Sequence, residues 1–314
     1  MPSIKSLNNI NTSSYLYGHD DVLMNFIKLY ESGNFPKVSL VTGEKGIGKF
    51  TLVFHLIIYI FSKFYKQPYD LDKKSIDESN LILSKFKSKT FQNFVYFPNE
   101  DKNKLSIEKV REIKKDLNNS TLDNNPRFIV FDDVELLNNN VVNSLLKMIE
   151  EPSKNNYFIL INNKRNKLVE TLKSRSIETK IFLNNDQKNS ILKKIFDKHD
   201  IDDNFILNYS YLASPGMFVK YYYILNETNT ELNTSFYELT SILLEKYKKE
   251  KQEIYIDCIK FFLEIKNNNN NLFKKKNIIS LLKIKNDIFK ILHEYKRFNL
   301  TNNSVLNIVK NSII

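Results

Sequence analysis

"KVSLVTGEKGIGKFTLVFHLIIYIF", Lys37–Phe61, decides how the chain is read. A short β-rich run, Lys37–Gly43, meets a glycine-rich turn, and the turn opens into an apolar stretch, Lys49–Lys66, long enough for a helix. Strand, turn and helix in that order can grip a phosphate. Glycines let backbone N–H groups face inward around phosphate oxygens, and the helix N-terminus adds the positive end of its dipole. Gly43, Gly48 and Lys49 stand at the pattern positions, Gly46 lies inside the turn, and Lys49 is placed to reach the β- and γ-phosphates. The next position normally carries the Ser or Thr whose hydroxyl holds Mg2+, but here it is Phe50. Thr51 comes one residue late, about 100° around the helix, so its hydroxyl points elsewhere. Taken alone, the loop also reads as a purely structural strand–turn–helix.

A second element favours the phosphate. "RFIVFDD", Arg127–Asp133, is an apolar strand ending in two carboxylates. Asp132 is placed to hold Mg2+ through water. Asp133 stands where a hydrolytic site usually carries the Glu that orients the attacking water. It is one methylene shorter, and a misplacement of about 1 Å can cost roughly 10²-fold in rate.

Around these motifs strands and helices alternate. Asn93–Phe97, Tyr157–Asn163 and Ile177–Leu183 read as strands, and Ser106–Leu117 and Val141–Glu151 as amphipathic helices, the second stopped by Pro152. Such alternation predicts an α/β domain with a mostly parallel sheet and helices on both faces. Beyond Leu183 the pattern is helical: helices over 187–199 and 203–213, a break at Ser214–Gly216, then Lys- and Leu-rich helices to the end. The expected domains are 1–183, 184–226 and 227–314.

The 314 residues, 42% of them apolar, suffice for two or three cores. The N-terminus lacks an apolar signal region, and the run Leu56–Phe61 is too short to span a bilayer, so it reads as a buried helix. One cysteine, Cys258, makes neither an internal disulfide nor a cysteine-rich zinc site, and a reducing cytoplasm is expected. The net charge of +11 suits contact with DNA phosphates. An AT-rich genome gives the same Lys-, Asn- and Ile-rich composition, so charge does not carry the function. The Asn267–Asn271 run reads as a low-complexity loop, "YKQPYDLDKK" as loop surface, and His55 as a core histidine.

The stretch Arg127–Ser176 resembles the AAA+ clamp-loader ATPases, most specifically in "NSLLKMIEEP" (Asn143–Pro152), "YFILINN" (Tyr157–Asn163) and "TLKSRS" (Thr171–Ser176). Leu16–Lys49 resembles the opening of the same family, and "ASPG" (Ala213–Gly216) extends the likeness weakly. The resemblance implies a P-loop α/β domain, then a small helical lid and an all-α collar that joins a hetero-oligomer. It matches Asn162 or Asn163 to the position that senses the γ-phosphate, and Arg175 to an arginine finger that reaches into a neighbouring subunit's ATP site. His19 falls near the adenine or is a capping or surface residue.

Departures from the pattern point one way. The hydroxyl after Lys49 is missing, the strand-end base is shortened to Asp133, and the sensor arginine expected after "SPG" is Met217. Within the family the likeness is nearest to the delta-prime subunits of bacterial DNA polymerase III, which often have degenerate nucleotide sites, rather than to the ATP-burning tau/gamma subunits. It implies partners in tau/gamma, delta, the sliding clamp and primed DNA reached through the complex. It also implies ATP held weakly or without hydrolysis, and metal limited to a possible Mg2+ at Asp132, with no zinc. An autonomous AAA+ motor and a scaffold that binds no nucleotide are the rival readings.

Overall fold

The computed structural model describes residues 13–98, 108, 110, 112, 125–152, 155–199, 201, 208–230, 234–268 and 278–313. They fall into two compact units, one drawn from residues 13–201 with 214–216, the other from 208–213 with 217–313.

The first unit is built on strands. In chain order they are β1 (Val38–Thr42), β2 (Tyr69–Asp70), β3 (Ser75–Ile76), β4 (Phe94–Phe97), β5 (Arg127–Phe131), β6 (Asn156–Asn162) and β7 (Ile177–Lys180). Five make one sheet in the order β4-β5-β6-β1-β7, with every pairing parallel. β2 and β3 form a separate antiparallel pair.

In a parallel sheet flanked by helices both faces are buried, and alternate residues serve opposite layers. Val41, Val130, Ile159 and Ile161 belong to one core, with Phe26 and Ile27 of the helix Asp20–Glu31, the helix Lys49–Phe64, and Ile82 and Leu83 of the helix Leu81–Lys87. Leu40, Ile129, Phe131, Phe158 and Leu160 face the other core, with Val141, Leu145 and Met148 of the helix Asn139–Ile149. The two-sided α/β expectation is therefore met.

The helix Lys49–Phe64 is apolar nearly all round because it is buried nearly all round, from Leu52 through Phe61. Aromatic contacts fix its position, with Phe54 at 5.0 Å from Phe86 and Phe61 at 4.7 Å from Phe91. Its one imidazole, His55, is fully buried as expected, with Nδ1 at 3.1 Å from the Tyr69 hydroxyl and Nε2 at 3.0 Å from the Ser13 carbonyl. Burial pulls its pKa down to about 4.

Several local expectations need correction. Part of "YKQPYDLDKK", read as plain loop, pairs as the β2–β3 hairpin. The helix Leu81–Lys87 was not foreseen. Its cap, Asn80, is fully buried; its carbonyl accepts from the N–H of Ile82 and Leu83, and its amide donates to Ser62 Oγ and the Pro68 carbonyl. Ser214–Gly216 does not simply break the chain. Pro215 opens the helix Pro215–Glu227, where its fixed φ and missing N–H cost nothing. Asn267 and Asn268 end a helix, while 269–271 lie outside the described residues. So does the expected helix Ser106–Leu117, apart from 108, 110 and 112, which are helical. Of the helix expected over 203–213, the described part holds one tight turn, Ser210–Leu212.

The second unit is helical: residues 217–227, then the helices Phe236–Glu250, Ile254–Asn268, Ile278–Phe298 and Asn302–Ile313. Phe236, Leu243, Tyr255, Phe262, Leu292 and Val305 are fully buried in it. Cys258 is buried as well, and burial pushes its thiol up, so it packs as a small apolar group. Met217, at the position expected for an arginine, is buried and uncharged.

Candidate phosphate-loop site

Because the strands run parallel, their C-terminal ends share one edge of the sheet. The loop after β1, Asp132 and Asp133 after β5, and Asn163 after β6 are gathered there.

The loop is shaped as a phosphate cradle. Gly46 and Gly48 lie at φ 85° and 92°, a region that side chains with a Cβ rarely adopt. A Cβ on Gly43 would sit 2.5 Å from the Ile181 carbonyl oxygen, so that position admits only glycine. Gly48 is the N-cap of the helix Lys49–Phe64; no side chain caps it and no acidic residue lies in the first turn. The first N–H groups and the dipole's positive end are thus available to an anion. The loop is braced from outside. The Gly216 N–H donates to the Gly46 carbonyl at 2.8 Å, and Ser214 Oγ donates to the Lys45 carbonyl. His19 Nε2, 2.6 Å from the Ile47 carbonyl, must carry the proton there. Burial lowers the His19 pKa, so the ring stays neutral. His19 also occupies the N-cap position of the helix Asp20–Glu31.

Lys49 is 3% exposed and folds back on its own loop, donating to the carbonyls of Gly43 at 2.8 Å and Glu44 at 2.6 Å. Burial pulls its pKa down to about 8, against the field of Asp132, Glu135, Asp133 and Glu44. An arriving phosphate would take over from two carbonyl dipoles and return full charge stabilisation to the ammonium.

The acidic side is closely tied. Asp132 Oδ1 accepts from the Asp133 N–H at 2.9 Å and from Asn163 Nδ2 at 3.0 Å. Asp132 Oδ2 accepts from the Tyr96 hydroxyl at 3.1 Å. Burial, then the Asp133 charge, raises the Asp132 pKa. Asp133 is buried with φ 49°, and its Oδ1 accepts from Asn163 Nδ2 at 2.6 Å. Of the two asparagines, Asn163 bridges both carboxylates, whereas Asn162 Oδ1 accepts from the Lys164 N–H and closes its own turn.

Two contributors were missed in the sequence. Glu135, buried, accepts from the N–H groups of Asn163 and Arg165 and so holds the segment that carries the asparagine. Tyr96, in a segment read only as a strand, reaches Asp132, the carboxylate expected to hold Mg2+. A Glu three residues past Asp132 was the available signal for the first; Tyr96 gave none, because only the register of β4 with β5 reveals it.

The loop glycines, Lys49 and the uncapped helix N-terminus suit a phosphate, whereas the position of the Mg2+-binding hydroxyl carries only carbon. Phe50, 6% exposed, fills the hydroxyl's position with a ring 4.1 Å from that of Tyr96. Among the described residues, no group of three or more His, Cys, Asp or Glu is arranged to hold a metal ion. No described helix is long and apolar enough to cross a membrane.

Arg175 is not gathered with these residues in their described contacts. It caps the helix Glu170–Ser174 at the surface, with Nε donating to Glu150 Oε1 at 2.9 Å and Nη1 to the Thr171 carbonyl at 3.3 Å. Its side chain is 41% exposed.

The sequence pattern of the family described as "DNA polymerase III, delta subunit" matches residues 18–185, over half of the 314 residues. A DNA polymerase III subunit delta' of Buchnera aphidicola subsp. Baizongia pistaciae is 34% identical over 99 residues, 32% of this chain and 25% of that one. The subunit delta' of Buchnera aphidicola subsp. Acyrthosiphon pisum is 26% identical over 166 residues, 52% of this chain and 48% of that one. The chain thus spans no more than about half the length of these relatives. A DNA polymerase III gamma subunit-related protein of Thermotoga maritima superposes with a TM-score of 0.48 at 14% identity, covering 92% of this chain and 98% of that one. On the family match, which takes in the loop, both aspartates, Asn163 and Arg175, the chain belongs to the DNA polymerase III delta subunit family.

Proposed function

We propose that the chain is a delta-prime-like subunit of a bacterial clamp loader, helping ATP-dependent loading of the sliding clamp onto primed DNA. One observation carries this reading over that of a free-standing motor. In a chain of this family the phosphate loop is kept, while the position of its metal-binding hydroxyl is filled by Phe50 packed against Tyr96. Such a site can grip a nucleotide at Lys49 and the loop glycines, with Asn163 near its end, yet it is poorly equipped to hydrolyse one. Asp133, the shortened base, is already held by Asn163.

The subunit's contribution to turnover is then Arg175, offered in trans to a neighbour's ATP. Its surface position, held among the described residues by Glu150 and a backbone carbonyl, supports this role. Phosphoryl transfer spreads negative charge over the γ-oxygens, and a fixed guanidinium there is worth about 10³–10⁵ in rate. Residues 184–226 would act as lid and 227–314 as collar. Tau/gamma and delta subunits, the clamp and, through the complex, primed DNA are the partners, and the cytoplasm is the setting.

The test is reconstitution with tau/gamma, delta and clamp proteins of the same organism. Stable co-assembly, clamp loading on primed DNA and little ATPase from the chain alone are expected. Failure to assemble, or strong ATPase from the isolated chain, would overturn the reading.

A further inference from the structure

We infer that the Phe50–Tyr96 pair replaces the divalent cation at this site, so that the loop takes a nucleoside polyphosphate free of Mg2+. The inference rests on the phosphate-loop reading above and adds the form of the ligand.

A phosphate loop with a Ser or Thr after its lysine suspends the ion between that hydroxyl and the carboxylate at the end of a neighbouring strand. Both ends of that span are present here, and protein atoms connect them. At the helix end stands Phe50, whose ring centre lies 4.1 Å from that of Tyr96 and 6.0 Å from that of Phe54. At the strand end stands Asp132, whose Oδ2 receives the Tyr96 hydroxyl at 3.1 Å. Tyr96 reaches it because β4 and β5 pair in register, Tyr96 beside Val130 and Phe97 beside Phe131, one step from the carboxylate. Asp132 Oδ1 already accepts from the Asp133 N–H and the Asn163 amide.

Mg2+ demands six oxygens in near-octahedral order and gives up its water reluctantly. To reach Asp132 here it would have to break the phenol's hydrogen bond and lodge its water shell against the two rings, and at the helix end Phe50 offers carbon where a hydroxyl oxygen would stand. The phenol O–H answers the carboxylate's charge by hydrogen bonding. The charge of an incoming polyphosphate falls to Lys49, already buried in the loop, and to the uncapped helix N-terminus.

The test is calorimetric titration of the full chain with ATP and with ADP, in excess EDTA and in excess Mg2+. The expected result is binding in EDTA that excess Mg2+ weakens. Because Mg2+ sequesters free ATP, the apparent Kd with ATP rises. An apparent Kd that excess Mg2+ leaves equal or lowers would overturn the inference while leaving the phosphate-loop reading intact. No binding under any condition would overturn that reading and the inference with it.

Two variants locate the effect. Phe50→Thr with Tyr96→Phe restores the hydroxyl and removes the phenol, and nucleotide binding should become Mg2+-dependent. Tyr96→Phe alone keeps the ring packing should the double variant fold poorly. With nucleotide present it should acquire Mn2+, detected by paramagnetic resonance, that the unaltered chain does not hold. Nucleotide binding without Mn2+ in both variants would remove the pair from this role.

Discussion

Phe50→Thr, the change that would complete the phosphate-loop pattern, is expected to damage the protein before it improves any site. Phe50 is 6% exposed and packs between Tyr96 and Phe54 in the core beneath the sheet. Truncating a buried Phe to Ala costs about 3–5 kcal/mol, the sum of lost transfer energy and the cavity left behind. Thr refills a fraction of that volume but brings a hydroxyl, and beside two aromatic rings that hydroxyl has little to bond. A net loss of about 3 kcal/mol follows. For a unit of this size that is a fall of roughly 6–12 °C in Tm. The chain has no Trp, so the assay is urea unfolding followed by far-ultraviolet circular dichroism, with Phe50→Leu as a milder control. A loss below about 1 kcal/mol would mean that the ring is not part of the core, and the argument that it fills the cation position would fall with it.

Two further outcomes rest on titrating groups. His55 has a folded pKa of about 4 against 6.5, so below pH 6.5 the unfolded chain binds a proton that the folded chain refuses. Its contribution is complete above pH 6.5 and is lost on descending to about 4, worth about 3 kcal/mol. His55→Gln should flatten the acid limb of a stability–pH curve, and an unchanged limb would refute this. Lys49, at about 8 in the free loop, must be charged to hold phosphate. Nucleotide affinity should therefore hold below that pH and fall roughly tenfold per unit above it, and a flat titration would detach Lys49 from binding.

What could be read from the chain was what packing and chemistry write in long or paired signals. The strand–loop–helix at Lys37–Phe61 was legible because apolar runs flank a glycine turn at phosphate-loop spacing, and the carboxylates of Arg127–Asp133 favoured the phosphate over a purely structural turn. Arg127–Asp133 was legible because two carboxylates ending a buried strand need a reason. The helix Leu81–Lys87 and the β2–β3 hairpin were not, because two turns of helix and two-residue strands carry no period to detect. Their stability comes from tertiary partners such as Asn80 with Ser62 and Pro68. Tyr96 escaped notice for a different reason. In "NFVYF" it is one more aromatic of a core strand, and only the register with β5 brings its hydroxyl to Asp132. Likewise, choosing between Asn162 and Asn163 required knowing which residue leaves the end of β6 with its amide free to turn toward the aspartates.

The central claim is a subunit that completes a neighbour's site while its own is silent. Its most direct test is ATPase stimulated by primed DNA in the reconstituted loader, with Arg175→Ala compared against Lys49→Ala. The account predicts a loss of about 10³-fold or more at the sites that Arg175 serves and little change with Lys49→Ala. Equal losses from both would make this chain's own loop a working ATP site, and no change with Arg175→Ala in a fully assembled complex would contradict the account outright.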